Sequence, residues 1–265
     1  MRLGGIARCA PCLPADFLYH RTMLKSNQPF TLVQMIIIAI VLFSLPIGGL
    51  ALYWLITLPD ISLLARTNPT STALMQARLK RHLRPSKPHW VWVPLSRISS
   101  HLQRAVIVSE DASFYTHEGF DWKGIREAVE KDLETGRLQK GGSTITQQLA
   151  KNLYLSSEKT LLRKANEALI ARSLERHLTK KRILEIYLNV VEWGHGVYGA
   201  EAAARHHFRK SARELTSEES ALLAAILPAP HLHDPLKTTR YLSVRQQQIL
   251  RRMAKTNTLA ISKPH

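Results

Sequence analysis

The stretch QKGGSTITQQLAKNLYL, residues 139–155, places two glycines ahead of a run of hydroxyl and amide side chains that opens a helical pattern. Gly141 and Gly142 permit positive φ and close backbone approach, and Ser143 or Thr144 can cap the helix that follows. Such a helix start presents free N–H groups and a partial positive charge, which suits a phosphate. An ordinary glycine turn before a capped helix explains the same letters, so this stretch alone does not decide between the two interpretations.

Apolar residues recur at helical spacing through most of the chain beyond the first 60 residues. The pattern predicts helices at 71–82, 98–110, 122–135, 144–153, 160–178, 180–190, 198–207, 217–226 and 241–254. Thr216 and Glu219 have the form of a capping box at one of these starts. WVWV at 90–93 is the one short strand candidate in the sequence. The predicted fold class is therefore mainly α.

One segment is apolar enough to cross a membrane. Residues 31–58, TLVQMIIIAIVLFSLPIGGLALYWLITL, contain no charged side chain, and a helix needs roughly 20 apolar residues to span the hydrocarbon core. The apolar region is longer than that of a cleavable signal peptide and ends without a convincing cleavage site. We therefore expect an uncleaved transmembrane helix.

The charges before this segment predict its orientation. Four basic residues and one acidic residue precede it, and the positive-inside rule keeps such an end in the cytoplasm. The predicted organisation is a cytoplasmic tail at 1–30, a transmembrane helix at 31–58, a connector at 59–95 and a periplasmic domain at 96–265, anchored in the inner membrane.

The net charge of +17 implies an anionic partner, which is a nucleic acid, a membrane surface or a phosphorylated substrate. Nucleic acid is not expected outside the inner membrane, where the large domain is predicted to lie. Anionic membrane lipids are expected there as partners. Cys9 and Cys12 form a C-A-P-C sequence without a second ligand pair, so we assign them no metal or redox role.

Two groups of carboxylates invite a chemical interpretation. Glu110 and Asp111 end an apolar helical stretch, and Glu167 falls on one helix face with Arg163 and Lys164. Taken singly, Glu110 is typical of a solvated helix end and Glu167 of a surface ion pair. The alternatives are an acid or base near neutrality and a carboxylate among cations that bind a pyrophosphate.

The order of the motifs supports the chemical alternatives. The chain contains, in succession, EDxxFxxHxG at 110–119, GGSTITQQ at 141–148, RKxxE at 163–167 and KxxILExYLN at 180–189. This series resembles the signatures of the family 51 peptidoglycan glycosyltransferases, over roughly residues 90–235. The continuation VEWGHGVYGAEAAARHHF resembles the monofunctional branch, although His207 stands where tyrosine is common and LPAPH at 227–231 replaces a Pro-Asn-Pro pattern.

The resemblance implies a fold and a reaction. The fold is a lysozyme-like helical glycosyltransferase domain, without transpeptidase activity. The donor is the growing glycan on polyprenyl pyrophosphate, and the acceptor is lipid II. Glu110 is the implied general base that takes the proton of the acceptor 4-hydroxyl, and the attack inverts the anomeric carbon to give a β-1,4 link. Glu167 assists at the pyrophosphate, directly or through a divalent cation.

The resemblance also implies roles for further residues. Those that offset charge on the leaving pyrophosphate are Lys151, Lys159, Arg163 and Lys164. Those that orient the pyrophosphate and the sugars are Ser143, Gln147 and Asn152. A cofactor is left open: Mg²⁺ or Mn²⁺ would lie near Glu110, Asp111 and Glu167. Trp193 and Tyr198 are expected to pack in the core.

Two other functions explain part of the pattern. A lytic enzyme on the same helical scaffold also uses a glutamic acid, but it has no need of the cations around Glu167. A membrane-anchored scaffold for the division or elongation machinery explains the anchor and the charge, but it leaves GGSTITQQ and the glutamates unused. Detection of cleavage of finished glycan would favour the lytic enzyme. Full function of a Glu110→Gln variant in cells would favour the scaffold.

Overall fold

A computed structural model of the chain describes residues 30–81, 89–135, 142–156, 158, 160–237 and 239–261. The chain divides into two compact units, with the boundary between Ile56 and Thr57. The described residues are mainly helical, as the sequence predicts.

The first unit contains, in its described part, helix α1 (Leu32–Thr57) up to Ile56. The stretch Leu32–Trp54 of this helix is long and apolar enough to cross a membrane. Most of the large apolar side chains described for this helix are exposed, an arrangement that is unfavourable in water and suits lipid. Helix α1 is therefore compatible with the predicted single-pass anchor.

The second unit contains nine α-helices within the described residues. They are α2 (Ala73–Arg81), α3 (Ser100–Glu110), α4 (Trp122–Thr135), α5 (Ile145–Tyr154), α6 (Leu161–His177), α7 (Lys180–Val190), α8 (Ala200–Phe208), α9 (Ser217–Ile226) and α10 (Arg240–Ile261). The predicted helices are all present, and their ends differ by a residue or two except at α10, which continues to Ile261.

Hydroxyl side chains define several of the helix starts. Thr144, Thr160 and Thr179 each accept a hydrogen bond from a backbone N–H in the first turn of the helix that follows. The predicted capping box of Thr216 and Glu219 is confirmed at the start of α9. These caps satisfy N–H groups that the helix itself leaves unpaired, which is why the sequence predicts these boundaries well.

A small sheet accompanies the helices. Strands β1 (His89–Trp90), β2 (Glu192–Gly194) and β3 (Val197–Tyr198) lie in the order β1-β3-β2, with β1 parallel and β2 antiparallel to β3. The prediction of a strand over 90–93 is wrong in extent, since only Trp90 of that stretch is paired. Strands β2 and β3 were not predicted, because segments of two or three residues are too short to show alternation.

The core lies where α7 meets α5 and the sheet. Helix α5 packs against α6 and α7, while α3 packs against α9 and α10. Ile183, Leu184 and Tyr187 of α7 are fully buried. Trp193 and Tyr198, expected to be core residues, are 0% and 2% exposed. This packing fixes the facing ends of α3 and α5, which carry the polar residues described below.

Asn189, at the end of α7, connects the helix to the segment after β1. Its Oδ1 accepts from the N–H of Val93 at 2.9 Å, and its Nδ2 donates to the carbonyls of Val93 and Glu185 at 2.9 and 2.8 Å. The side chain is fully buried. Its three hydrogen bonds therefore satisfy backbone groups that water does not reach.

Replacing Asn189 with leucine should destabilise the fold, because the buried N–H and carbonyl of Val93 lose their partner. We expect a loss of about 3 kcal/mol in the free energy of unfolding, and a fall in Tm of roughly 6–12 °C. Thermal unfolding of the detergent-solubilised chain, followed by circular dichroism, measures it. The exposed Lys181→Leu on the same helix is the control, and equal Tm values for the two variants would contradict this account.

Candidate active site

Glu110 is the last residue of α3, and its carboxylate is held from several sides. Its Oε2 accepts from Nε2 of Gln148 at 3.0 Å. Its Oε1 accepts from the hydroxyl of Ser109 at 3.3 Å and lies 3.7 Å from a guanidinium nitrogen of Arg245 on α10. The side chain is 11% exposed. Glu110 is therefore a partly buried carboxylate with a defined orientation, which is not typical of a solvated helix end.

Asp111 joins the end of α3 to the start of α5. Its Oδ2 accepts from the N–H of Ile145 at 2.9 Å, and Nε2 of His117 lies 2.9 Å from its Oδ1. Nδ1 of His117 accepts from the N–H of Gly119 at 3.0 Å, which assigns the ring proton to Nε2. Desolvation raises the pKa of Asp111, while the hydrogen bonds from Ile145 and His117 oppose that rise.

The first turn of α5 uses its donors within the protein. The hydroxyl of Thr144 accepts from the N–H of Gln147 at 3.2 Å, and Oε1 of Gln147 accepts from the N–H of Thr144 at 3.0 Å. With the N–H of Ile145 bound to Asp111, the expectation of free N–H groups at this helix start is wrong for Ile145 and Gln147. Binding of an anion here would instead rely on side chains further along α5 and on α6.

Basic side chains surround a buried carboxylate on α6. Glu167 is 3% exposed, and its two oxygens form ion pairs with Arg163, at 2.6 Å, and with Lys164. Nζ of Lys164 also donates to the hydroxyl of Ser143 at 3.3 Å. We call Lys151, Arg163 and Lys164, together with Glu167, the cation cluster. It links Ser143, just before α5, to α6.

Lys151 is the member of this cluster that α5 contributes. Its side chain is exposed as a whole, yet neighbouring protein atoms desolvate its ammonium group and lower the pKa of Lys151. The nearby charges of Arg163 and Lys164 lower this pKa further. The charges of Glu167 and Glu110 act in the opposite direction. A cation that is kept near other cations gains from the arrival of an anion.

Two pockets line this region. One, of about 400 Å³, is bordered by Gln148, Lys151, Asn152 and Arg163, and by Arg78 of α2. The other, of about 140 Å³, is bordered by Glu110, Gly142, Ser143 and Arg252. The hydrogen bond between Gln148 and Glu110 connects the walls of the two pockets. We refer to both pockets together as the cleft.

The structure brings most of the predicted site residues to the cleft. Those that line it are Glu110, Ser143, Lys151, Asn152 and Arg163. Lys164 and Glu167 lie beside it, in contact with Ser143 and Arg163. Gln147 is buried, with its Oε1 in the capping box, and Lys159 lies outside the described residues.

Sequence reasoning did not assign Gln148, Tyr187 or Arg245 to the site. Gln148 carried a signal that was available, because it lies three and four positions before Lys151 and Asn152 and therefore shares their helix face.

The carboxylates do not fit a divalent cation. Both oxygens of Asp111 contact His117, and those of Glu167 face Arg163 and Lys164. No group of three or more His, Cys, Asp or Glu side chains arranged to hold a metal ion is present among the described residues. Side chains engaged in this way are poor metal ligands unless their partners move, so no step below is routed through Mg²⁺ or Mn²⁺.

Comparison with known proteins identifies the family. A model of the transglycosylase family matches residues 76–254. The chain belongs to the transglycosylase family. It is thus a glycosyltransferase enzyme, as the sequence predicts.

Relatives of this transglycosylase bear a common name, biosynthetic peptidoglycan transglycosylase. The protein of Nitrosospira multiformis is 52% identical over 191 residues, covering 71% of this chain and 83% of its own. That of Laribacter hongkongensis is 48% identical, covering 80% and 90%, and that of Chromobacterium violaceum is 46% identical, covering 85% and 96%.

In this transglycosylase, Asp111→Asn should destabilise the fold. The amide has one acceptor oxygen for the two donors of Ile145 and His117, whereas both oxygens of a carboxyl group can accept whether or not the group is protonated. We expect a loss of about 1–3 kcal/mol in the free energy of unfolding. The raised pKa of Asp111 means that ionisation costs the folded state stability, so the wild type's advantage over the variant is largest below the ordinary value of 3.8.

The wild type's advantage in the free energy of unfolding should narrow as the pH rises above 3.8 and through the higher pKa that Asp111 has in the folded state. Tm values of both proteins between pH 3.5 and 7 (about seven points) measure the difference. An advantage that widens with pH would contradict the assignment. Glu118→Gln, which alters an exposed ion pair with Arg172, controls for general charge effects.

Proposed function

We propose that this transglycosylase polymerises the glycan strands of peptidoglycan. It would transfer the growing glycan from polyprenyl pyrophosphate to the 4-hydroxyl of lipid II, and peptide crosslinking would be left to other enzymes. The observation that carries the proposal is the arrangement of one oriented carboxylate, Glu110, and the cation cluster along the same cleft. The names of the relatives support the choice of peptidoglycan.

The cation cluster suits the leaving group of the donor. Cleavage of the bond between the anomeric carbon and the pyrophosphate leaves additional negative charge on the pyrophosphate. Lys151, Arg163 and Lys164 lie where such charge would be offset, and the hydroxyl of Ser143 beside Lys164 adds a donor. Groups that are fixed in place before the reaction stabilise developing charge without reorganisation.

Glu110 suits the acceptor end of the reaction. As the 4-hydroxyl of lipid II attacks the anomeric carbon, its proton passes to the Glu110 carboxylate, the new C–O bond forms, and the bond to pyrophosphate breaks. Attack opposite the leaving group inverts the anomeric carbon and gives a β-1,4 link. The position of Glu110 in the smaller pocket, with Lys151 and Arg163 in the larger one, supports this division of roles.

Glu167 has a supporting role in this mechanism. Its ion pairs hold Arg163 at the wall of the larger pocket and Lys164 beside Ser143 before the donor arrives. The proposal therefore gives Glu167 an indirect role in arranging the pyrophosphate site, through the two basic side chains. Asn152, which is buried beside Lys151 on the wall of the larger pocket, would orient the donor.

The membrane anchor fits a lipid-linked substrate. Helix α1 would hold the enzyme in the inner membrane with its basic N-terminal tail in the cytoplasm and its catalytic domain, residues 96–265, in the periplasm. A polyprenyl-linked donor and acceptor remain in the membrane, so an anchored enzyme meets both at its surface.

Polymerisation of purified lipid II by the detergent-solubilised chain tests the proposal. The wild type should form glycan strands, and Glu110→Gln should lower the rate by at least about a hundredfold, since a general base contributes 10²–10⁴ in rate. Glu167→Gln should also lose most activity, and Glu118→Gln should retain it, because Glu118 is an exposed surface residue. Absence of strands from folded wild type, or cleavage of finished glycan by it, would refute the polymerase.

The pH dependence of Lys151→Arg gives a second prediction. The lowered pKa of Lys151 predicts that the rate constant kcat/KM falls on the alkaline side before the ordinary value of 10.5 is reached. Arginine keeps its charge to above about pH 12, so the alkaline limb of kcat/KM should move upward in Lys151→Arg, even if the rate at neutral pH is lower. An unmoved alkaline limb would show that Lys151 does not supply the charge.

A further inference from the structure

Gln148, which the mechanism above does not use, lies between a carboxylate and a phenol. Its Nε2 donates to Oε2 of Glu110 at 3.0 Å, and its Oε1 accepts from the hydroxyl of Tyr187 at 2.9 Å. Helices α7, α5 and α3 thus each contribute one group to a series of hydrogen bonds that ends at Glu110.

The charge at one end and the phenol at the other determine the direction of this series. An amide side chain that turns over exchanges N and O with little change of shape. A reversed Gln148 would direct its carbonyl oxygen at the carboxylate of Glu110, and two acceptors would face each other without a proton between them. The hydroxyl of Tyr187, by donating to Oε1, stabilises the orientation in which Nε2 faces Glu110.

Tyr187 is well suited to remain a donor. Its side chain is fully buried in the core. Burial, reinforced by the negative charges of Glu110 and Asp111, raises the pKa of Tyr187 well above its usual value. The hydroxyl therefore keeps its proton over the whole pH range in which an enzyme of this kind works.

Other groups that face Glu110 act at different places. Arg245 of α10 and Ser109 approach Oε1, and Lys151 of α5 acts at longer range. The neighbouring carboxylate of Asp111 is bound to His117 and Ile145. The hydrogen bond from Gln148 is made to the other oxygen, Oε2. Its removal is therefore not compensated by these groups without movement.

We propose that Gln148 and Tyr187 are positioning residues that hold the Glu110 carboxylate ionised and directed into the cleft, with Tyr187 acting through Gln148. A hydrogen bond donated to a carboxylate favours its ionised form, which is the form that accepts a proton. The same bond restricts the side chain to one orientation. The inference rests on the proposed role of Glu110 as general base.

Tyr187→Phe removes one oxygen atom and keeps the buried ring. With Gln148 no longer fixed, we expect kcat for lipid II polymerisation to fall about tenfold and KM to change by less than about twofold. The acid limb of the kcat profile should move to higher pH, since the ionised form of Glu110 loses a hydrogen bond that favours it. Unchanged kcat and an unmoved acid limb would overturn the inference.

A double-mutant cycle tests whether Tyr187 acts through Gln148. Gln148→Met removes the amide at similar length, and it should reproduce or exceed the loss in kcat. Adding Tyr187→Phe to Gln148→Met should then cause no further loss, because the route from Tyr187 to Glu110 is already absent. Multiplicative losses in the double variant would show that the two residues act independently.

Tyr198→Phe is the matched control. Tyr198 is also buried and its hydroxyl bonds to a glutamate, Glu192, but it does not contact Glu110. The control should lose stability to a similar degree, while the acid limb of its kcat profile stays at the same pH as in the wild type. If Tyr187 had only a structural role, Tyr187→Phe would behave in the same way, with a lower Tm and an unmoved limb.

A substrate-free measurement separates this inference from the proposed function. The ionisation of Glu110 is followed by infrared spectroscopy, with Glu110→Gln to identify its band. In Tyr187→Phe the midpoint should lie at higher pH than in the wild type, and identical midpoints would overturn the inference. If the wild type does not polymerise lipid II but the midpoint is shifted in Tyr187→Phe, the polymerase is refuted and the positioning role of Gln148 and Tyr187 stands.

Discussion

The buried carboxylate of Asp111 is the group on which the geometry of the cleft depends. By accepting from the N–H of Ile145 and from His117, it joins the end of α3 to the start of α5. Glu110 immediately precedes it, and α5 carries Gln148 and Lys151 on the cleft side. One buried acceptor with two donors therefore sets the distance between the oriented carboxylate and the cations. A desolvated charge at such a point is costly unless its partners are in place.

The cation cluster is prepared for an anion by being incompletely neutralised. Glu167 pairs with Arg163 and Lys164, while Lys151 is desolvated and its pKa lowered. An incoming pyrophosphate would relieve the repulsion among these basic groups, and this relief would favour its binding. The overall charge of +17 extends the same preference to the surroundings of the site.

The sequence predicted the helices well because several of them combine apolar spacing with a recognisable cap, as at Thr144, Thr160 and Thr179. It placed a strand at β1 with the wrong extent and missed β2 and β3, which are too short to show alternation. The motif resemblance assigned a role to Gln147, whereas Gln148 bonds to Glu110. Adjacent residues differ by about 100° around a helix, so the rotation of α5 decides which one faces the cleft. That rotation is set by tertiary contacts such as the bond from Ile145 to Asp111.

The central claim is that Glu110 and the cation cluster serve opposite ends of one reacting bond. Its most direct test is the dissociation constant of unreactive polyprenyl pyrophosphate, measured with wild type, Glu110→Gln and Arg163→Met. The account predicts that Glu110→Gln binds within about twofold of the wild type, and that Arg163→Met binds about tenfold or more weakly because a charge-assisted contact is lost. Equal binding by all three proteins, or weak binding by Glu110→Gln alone, would contradict it.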